Sequence, residues 1–226
     1  MPREFNELVR RSGFVNAEKF YILAYEGTVT EKKYFEDLRN SELFNDSGSI
    51  ETIPLKRGTR EGSNPLAVKS LLSKAKQDYN FKSTDEFWLV IDRDDWETIH
   101  NIDLDKLAED CQSEKNFFMA LSNPCFEMWL ILHLRKLDEI SEEDRAKIYE
   151  NAAISAKKHY IDEALAKYIG DGRGYNKRPN PAVFLPKVIQ AIQNAKEIAG
   201  MGEMYPKTLG SDVYKLVEKL IKKDLV

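Results

Sequence analysis

Phe87-Trp88-Leu89-Val90-Ile91 runs directly into Asp92-Arg93-Asp94-Asp95. Five aromatic, aliphatic and β-branched residues without polar alternation predict a strand buried on both faces, as in a parallel sheet covered by helices on either side. The abrupt change to acids marks the carboxyl end of that strand. Towards the N-terminus, Lys19–Glu26 is an apolar run of strand length stopped by Gly27. Thr28 and Glu31 have capping-box spacing, and the stripe Tyr34, Phe35, Leu38 predicts a helix to about Arg39. Ser49–Leu55 is a second strand candidate. Asn64-Pro65 resembles an N-cap with Pro at the first helical position, leading into Leu66, Val68, Leu71, Leu72 and Ala75.

Towards the C-terminus, Leu104–Glu114 predicts a polar helix and Phe117–Leu121 a fourth strand. Asn123-Pro124 then caps Cys125–Leu134, apolar almost all round and therefore expected to be buried. Only helices are expected beyond Glu142: about Glu143–Ile169, Val183–Ile198 and Ser211–Lys223, with a Gly- and Pro-rich stretch at 170–186 between the first two. This pattern gives an α/β fold, a mostly parallel four-stranded sheet flanked by helices over about residues 15–135. A helical C-terminal region, 136–226, is expected to pack on it.

The composition, 42% hydrophobic and 32% charged over 226 residues, is that of a globular chain able to bury a sizeable core. No apolar run approaches the roughly 20 residues needed to cross a bilayer, and the first residues have no signal-peptide character. The expectation is a cytoplasmic protein with no membrane partner. Cys111 and Cys125 are too few for a disulfide framework and have no CxxC spacing. A net charge of −4 argues against bulk attraction to nucleic acid. The charge is uneven, however: 19 Lys and Arg stand against 26 Asp and Glu over residues 1–140, and 15 against 12 from Ser141 onward.

The acidic excess coincides with a candidate site. Ligands of βαβ sheets bind outside the carboxyl ends of the strands. Three of the four predicted strands end there on acids or amides: Glu26, Asp92 and Asn123. On an extended segment Asp92 and Asp94 face the same way, with Arg93 turned aside. Such carboxylates repel one another without a cation. Mg²⁺ (or Mn²⁺) takes hard oxygen ligands and keeps waters that a phosphate can displace. An ion held there would activate a water for in-line phosphodiester displacement. The alternative for Asp92–Asp95 is an acidic turn after a buried strand. An EF-hand reading fails, because Glu97 and Asp103 stand where Gly and Glu are needed. Walker A, zinc-type Cys/His and Gly-x-Ser-x-Gly patterns are absent from the sequence. Gly170-x-Gly172-x-Gly174 follows a helix, not a strand, which gives a dinucleotide reading little support.

Glu127, near a helix start, either joins the metal shell or answers the helix dipole. Asn123 is an N-cap or a site contact, and Glu31 a capping-box acid or a ligand. His133 reads as a satisfied core histidine, and Lys32 as a surface lysine or a phosphate contact. For substrate, two basic stretches stand out: Lys56, Arg57 and Arg60 after the second strand, and Arg173, Lys177 and Arg178 in the Gly-rich loop beside Tyr175. Such contacts would position a strand without reading its sequence.

With these motifs in hand, the Glu after the first strand and the Asp-x-Asp after the third resemble a Toprim domain. Four segments more narrowly resemble the RloB-like family: Phe5-Asn6-Glu7-Leu8-Val9-Arg10-Arg11, Glu26-Gly27-Thr28-Val29-Thr30-Glu31-Lys32, Val90-Ile91-Asp92-Arg93-Asp94, and Ser122-Asn123-Pro124-Cys125-Phe126-Glu127-Met128-Trp129-Leu130. The resemblance covers most of the first 135 residues. It implies a Toprim-type, Mg²⁺-dependent nuclease of a bacterial anti-phage or abortive-infection system, similar to OLD-family nucleases. A separate RloA-like ATPase is the implied partner, in agreement with the missing Walker A motif. Glu26 would be a metal ligand or general base, Asp92 and Asp94 metal ligands, and Glu127 a supporting catalytic group. Two alternatives stay open: a non-catalytic Toprim-like subunit that binds nucleic acid or the ATPase, and a primase-type nucleotidyl transferase. The nucleic acid, DNA or RNA, is not specified, and homo-oligomerisation is left open.

Overall fold

The computed structural model describes residues 19–225 except 28, 46–47, 53–63, 79–81, 95, 99 and 157. The Phe5–Arg11 segment, Thr28, Asp95 and the basic residues Lys56, Arg57 and Arg60 lie outside the described residues. Seven strands are described: β1 (Lys19–Tyr25), β2 (Gly48–Thr52), β3 (Glu86–Asp92), β4 (Phe117–Asn123), β5 (Ala153–Ser155), β6 (Lys158–His159) and β7 (Gly210–Ser211). The described helices are α1 (Thr30–Arg39), α2 (Pro65–Asp78), α3 (Leu104–Ser113), α4 (Glu127–Leu132), α5 (Glu142–Glu150), α6 (Tyr160–Ile169), α7 (Pro181–Phe184), α8 (Val188–Ile198) and α9 (Val213–Leu220).

The main sheet has five strands in the order β2-β1-β3-β4-β7. The first four are parallel, and β7 pairs antiparallel with the end of β4 through Ser122–Ser211 and Asn123–Gly210. The expected four-stranded sheet therefore gains a short fifth strand from the C-terminal region. That region also contains the β5–β6 pair, which divides the expected single helix 143–169 into α5 and α6. Asn151, in the left-handed conformation at φ 48°, ends α5. Asp162 accepts from the His159 backbone N–H at 3.0 Å and opens α6.

Alternation along the strands explains how both faces of the sheet are buried. Tyr21, Leu23, Tyr25, Trp88 and Val90 enter one core with residues of α1, α4, α6, α8 and α9. Ile22, Ala24, Phe87, Leu89 and Ile91 enter another with residues of α2 and α3. The β3 run is thus buried on both sides, and its continuous apolar character follows from that. Helix α2 begins as its sequence predicts, with Asn64 Oδ1 accepting from the Ala67 N–H at 2.9 Å. All six residues of α4 are buried. Its cap differs from expectation. Asn123 is the last residue of β4, its peptide bond to Pro124 is cis, and Phe126 occupies the N-cap position. The Asn123 amide donates instead to the Pro206 carbonyl at 3.1 Å, which ties β4 to the segment before β7.

His133 is a core histidine. Its Nδ1 meets the Trp129 carbonyl at 2.9 Å and its Nε2 the Tyr34 hydroxyl at 3.1 Å. Burial pushes its pKa down to about 3, so it stays neutral. Among the described residues no helix is long and apolar enough to cross a membrane.

Candidate functional site

The chain passes from β1 to β2 on one side of the sheet and to β3 on the other, so the crevice beyond β1 and β3 is a topological switch point. Glu26 follows β1 and Asp92 ends β3, and these neighbouring strands bring the two together. The Glu26 backbone N–H bonds to the Val90 carbonyl at 3.1 Å, and its carboxylate accepts from the Asp92 backbone N–H at 3.3 Å. Asp94 arrives by a route other than the extended geometry expected for Asp-x-Asp. The strand stops at Asp92, and Asp94 sits in a turn at φ 37°, its N–H bonded to the Pro124 carbonyl at 3.0 Å. Asp tolerates this left-handed region because its short side chain bonds locally. Arg93 turns away to Glu97 at 3.2 Å and the Tyr149 hydroxyl at 2.6 Å.

Two further acids join from the starts of helices. Glu31, 3% exposed in the first turn of α1, accepts from the Gly27 N–H at 2.9 Å. Gly27 permits this close approach, since a Cβ there would collide with the Glu31 carboxylate. Glu127, 4% exposed at the start of α4, is enclosed by four groups. Lys177 Nζ lies 3.1 Å away, the Cys125 thiol 3.1 Å, and the hydroxyls of Thr30 and Tyr175 each 3.4 Å. Lys177 also pairs with the buried Asp162 at 2.6 Å, and its carbonyl accepts from the Thr30 hydroxyl at 3.1 Å.

The electrostatics follow from this crowding. Burial, then repulsion from Asp94 and Glu31, raises the Glu26 pKa to about 8, although the Asp92 N–H partly offsets the rise. Burial and the neighbouring Glu127 raise Glu31 to about 7. Asp92 is pushed well above the usual carboxylate range by burial first, then by Asp94, Glu31, Glu26 and Glu127. Burial opposes the charge of Lys177, but Glu127 and Asp162 outweigh it and hold its pKa above the ordinary value. Five carboxylates therefore share one neighbourhood with a single described ammonium.

Glu26, Asp92, Asp94 and Glu127 are thus brought into electrostatic contact. Of the loop basics, Lys177 points into the cluster, whereas Arg173 and Arg178 are exposed. Tyr175 is half-buried, with its hydroxyl on Glu127. Lys32 is exposed and lies 3.8 Å from Glu36. Sequence reasoning missed Asp162 and Thr30. Asp162 was hidden inside a stretch read as one long helix; the His159-x-x-Asp162 cap spacing was the available signal.

Among the described residues, no group of three or more His, Cys, Asp or Glu stands in an arrangement that could hold a metal ion. The donor set nonetheless suits a hard divalent cation. Its groups are carboxylate oxygens whose ionisation is suppressed by burial and mutual repulsion, and a cation would relieve both. Mg²⁺ commonly needs only one or two carboxylates, with waters and substrate oxygens completing its shell, so a full protein cage is not required.

An α/β sheet with acids gathered at its switch point defines a class of site. A family model described as RloB-like protein matches residues 21–220, and the chain belongs to that family. No curated protein and no solved structure matches it.

Proposed function

We propose that this chain is a Toprim-like, Mg²⁺-dependent nuclease, acting in a bacterial anti-phage or abortive-infection system beside a separate ATPase. The observation that carries the reading is the gathering of Glu26, Asp92 and Asp94 at the switch point, near enough for their charges to raise the pKa values of Glu26 and Asp92. The strand order and the placement of these acids also support the Toprim resemblance, and family membership supports the defence context. Glu26, Asp92 and Asp94 would hold the ion. Bound there, it would lower the pKa of a water and neutralise charge on the scissile phosphate. Glu26, which follows β1 beside Asp92, would alternatively take a proton from the attacking water. Glu127 is held in one orientation by Lys177, Cys125, Thr30 and Tyr175, and so can orient a water without swinging into the ion's shell. Arg173 and Arg178 would contact the phosphates of the substrate strand.

The sparse arrangement of ligands favours one other reading, a Toprim-like subunit that binds nucleic acid or the ATPase without cutting. Calorimetric titration with Mg²⁺ and Mn²⁺ separates the two. The nuclease reading expects binding by the wild type that weakens at least about tenfold in Asp92→Ala and in Asp94→Ala, the effect of removing one charged ligand from a small shell. Absence of cation binding by the folded wild type would leave the binding subunit.

A further inference from the structure

Arg93, between the two aspartates of the site, reaches out of it. Its guanidinium donates to the Tyr149 hydroxyl at 2.6 Å and lies 5.7 Å from the centre of the Tyr149 ring. Tyr149 is on α5, 44% exposed, and it borders an open groove of about 520 Å³. Leu137, Leu209 and Ala146 give this groove an apolar lining, and Glu142, Arg145 and Thr208 supply polar groups. An exposed aromatic held by a cation–π contact and a hydrogen bond is a rigid platform, and the groove has the size of small-ligand sites.

We propose that this groove takes an unpaired nucleobase of the substrate strand, the base flanking the phosphate held at Asp92 and Asp94. The proposal rests on the nuclease reading and deepens it: the substrate is single-stranded, or is opened, where it meets the protein. Three features favour a base over other occupants. The groove joins the acidic site through one residue, Arg93. Tyr149 offers a π-surface, and stacking on aromatic side chains is how single strands are held without sequence preference. The Glu142 carboxylate on the lining repels a phosphate, which favours the base over the backbone of the strand.

The test is fluorescence anisotropy of a labelled ten-nucleotide single strand, read with Ca²⁺ in place of Mg²⁺, which takes the same oxygen ligands but is the larger, less polarising ion, so that binding is read without cleavage. An abasic strand of equal length serves as comparison. Tyr149→Ala is expected to weaken binding of the normal strand by about tenfold or more, the effect of losing one stacked base. Tyr149→Phe, which keeps the ring, is expected to bind within about twofold of the wild type. The abasic strand should bind the wild type and Tyr149→Ala equally. Tyr149 is exposed, so both variants should keep the wild-type circular dichroism. Equal binding of the normal strand by wild type and Tyr149→Ala overturns the proposal. Failure of the wild type to bind either strand overturns it as well. Because the readout needs no cleavage, a chain that binds through Tyr149 yet never cleaves would sink the nuclease reading and leave the groove standing. The converse would sink the groove alone.

Discussion

Asp92→Asn is expected to abolish metal-dependent cleavage, by about 10³-fold or more, while raising the melting temperature of the metal-free protein. The two effects have one cause. Asp92 ends the central strand β3, where burial and then the charges of Asp94, Glu31, Glu26 and Glu127 disfavour its ionised form. Keeping this group folded at pH 8 costs free energy, because it must either stay protonated or ionise among other carboxylates. Asparagine preserves the shape and removes the cost. It also removes an anionic ligand, and a cation's contribution to phosphoryl transfer is several kcal/mol, with about 1.4 kcal/mol for each factor of ten in rate. Thermal melting and a cleavage assay on the same preparation check both halves. A variant that unfolds would show that Asp92 is a structural turn residue, and a variant that still cleaves would remove it from the site.

The metal-free protein is expected to lose stability as pH rises from about 5 to 8, on the order of 6 kcal/mol, or about 12–24 °C in melting temperature. Glu26 and Glu31 have folded pKa values raised from 4.5 to about 8 and about 7. A raised carboxyl holds its proton in the folded state after the unfolded chain has released it. Its stabilisation is complete below pH 4.5 and is lost as pH climbs through the folded values. Mg²⁺ binds the ionised carboxylates, so millimolar Mg²⁺ should raise the melting temperature at pH 8 and have little effect at pH 5, where protons compete for the same oxygens. Melting curves over this pH range, with and without Mg²⁺, check the prediction. A stability that rises from pH 5 to 8 would contradict it.

Much of this arrangement is legible in the residues. The β3 run is apolar on both faces because both faces are covered, and its end at Asp92 is written in the change to acids. Asn64-Pro65 starts α2 by ordinary capping, and the stripe Tyr34, Phe35, Leu38 lies on the buried side of α1. Other features are not legible for stated reasons. Strand β7 is two residues, Gly210 and Ser211, with no period of its own, and it exists only through its pairing with β4. Asn123-Pro124 has the composition of a helix cap, but β4 continues through Asn123 and the amide is taken by Pro206. The extended geometry assumed for Asp92 and Asp94 fails because the strand ends between them. The Lys177–Glu127 pair joins residues 50 apart, and the Lys177–Asp162 pair crosses a loop. Both depend on tertiary placement that no local pattern encodes.

Cleavage by the purified chain tests the central claim most directly. Radiolabelled single-stranded DNA, double-stranded DNA and total tRNA would each be incubated with Mg²⁺, Mn²⁺ or EDTA, alone and with the separate ATPase, and wild type run beside Asp92→Asn. The account predicts shortening of at least one of these substrates by the wild type with metal, and none with EDTA or in the variant. Intact substrates in every lane, with the ATPase present and the protein folded, would contradict it.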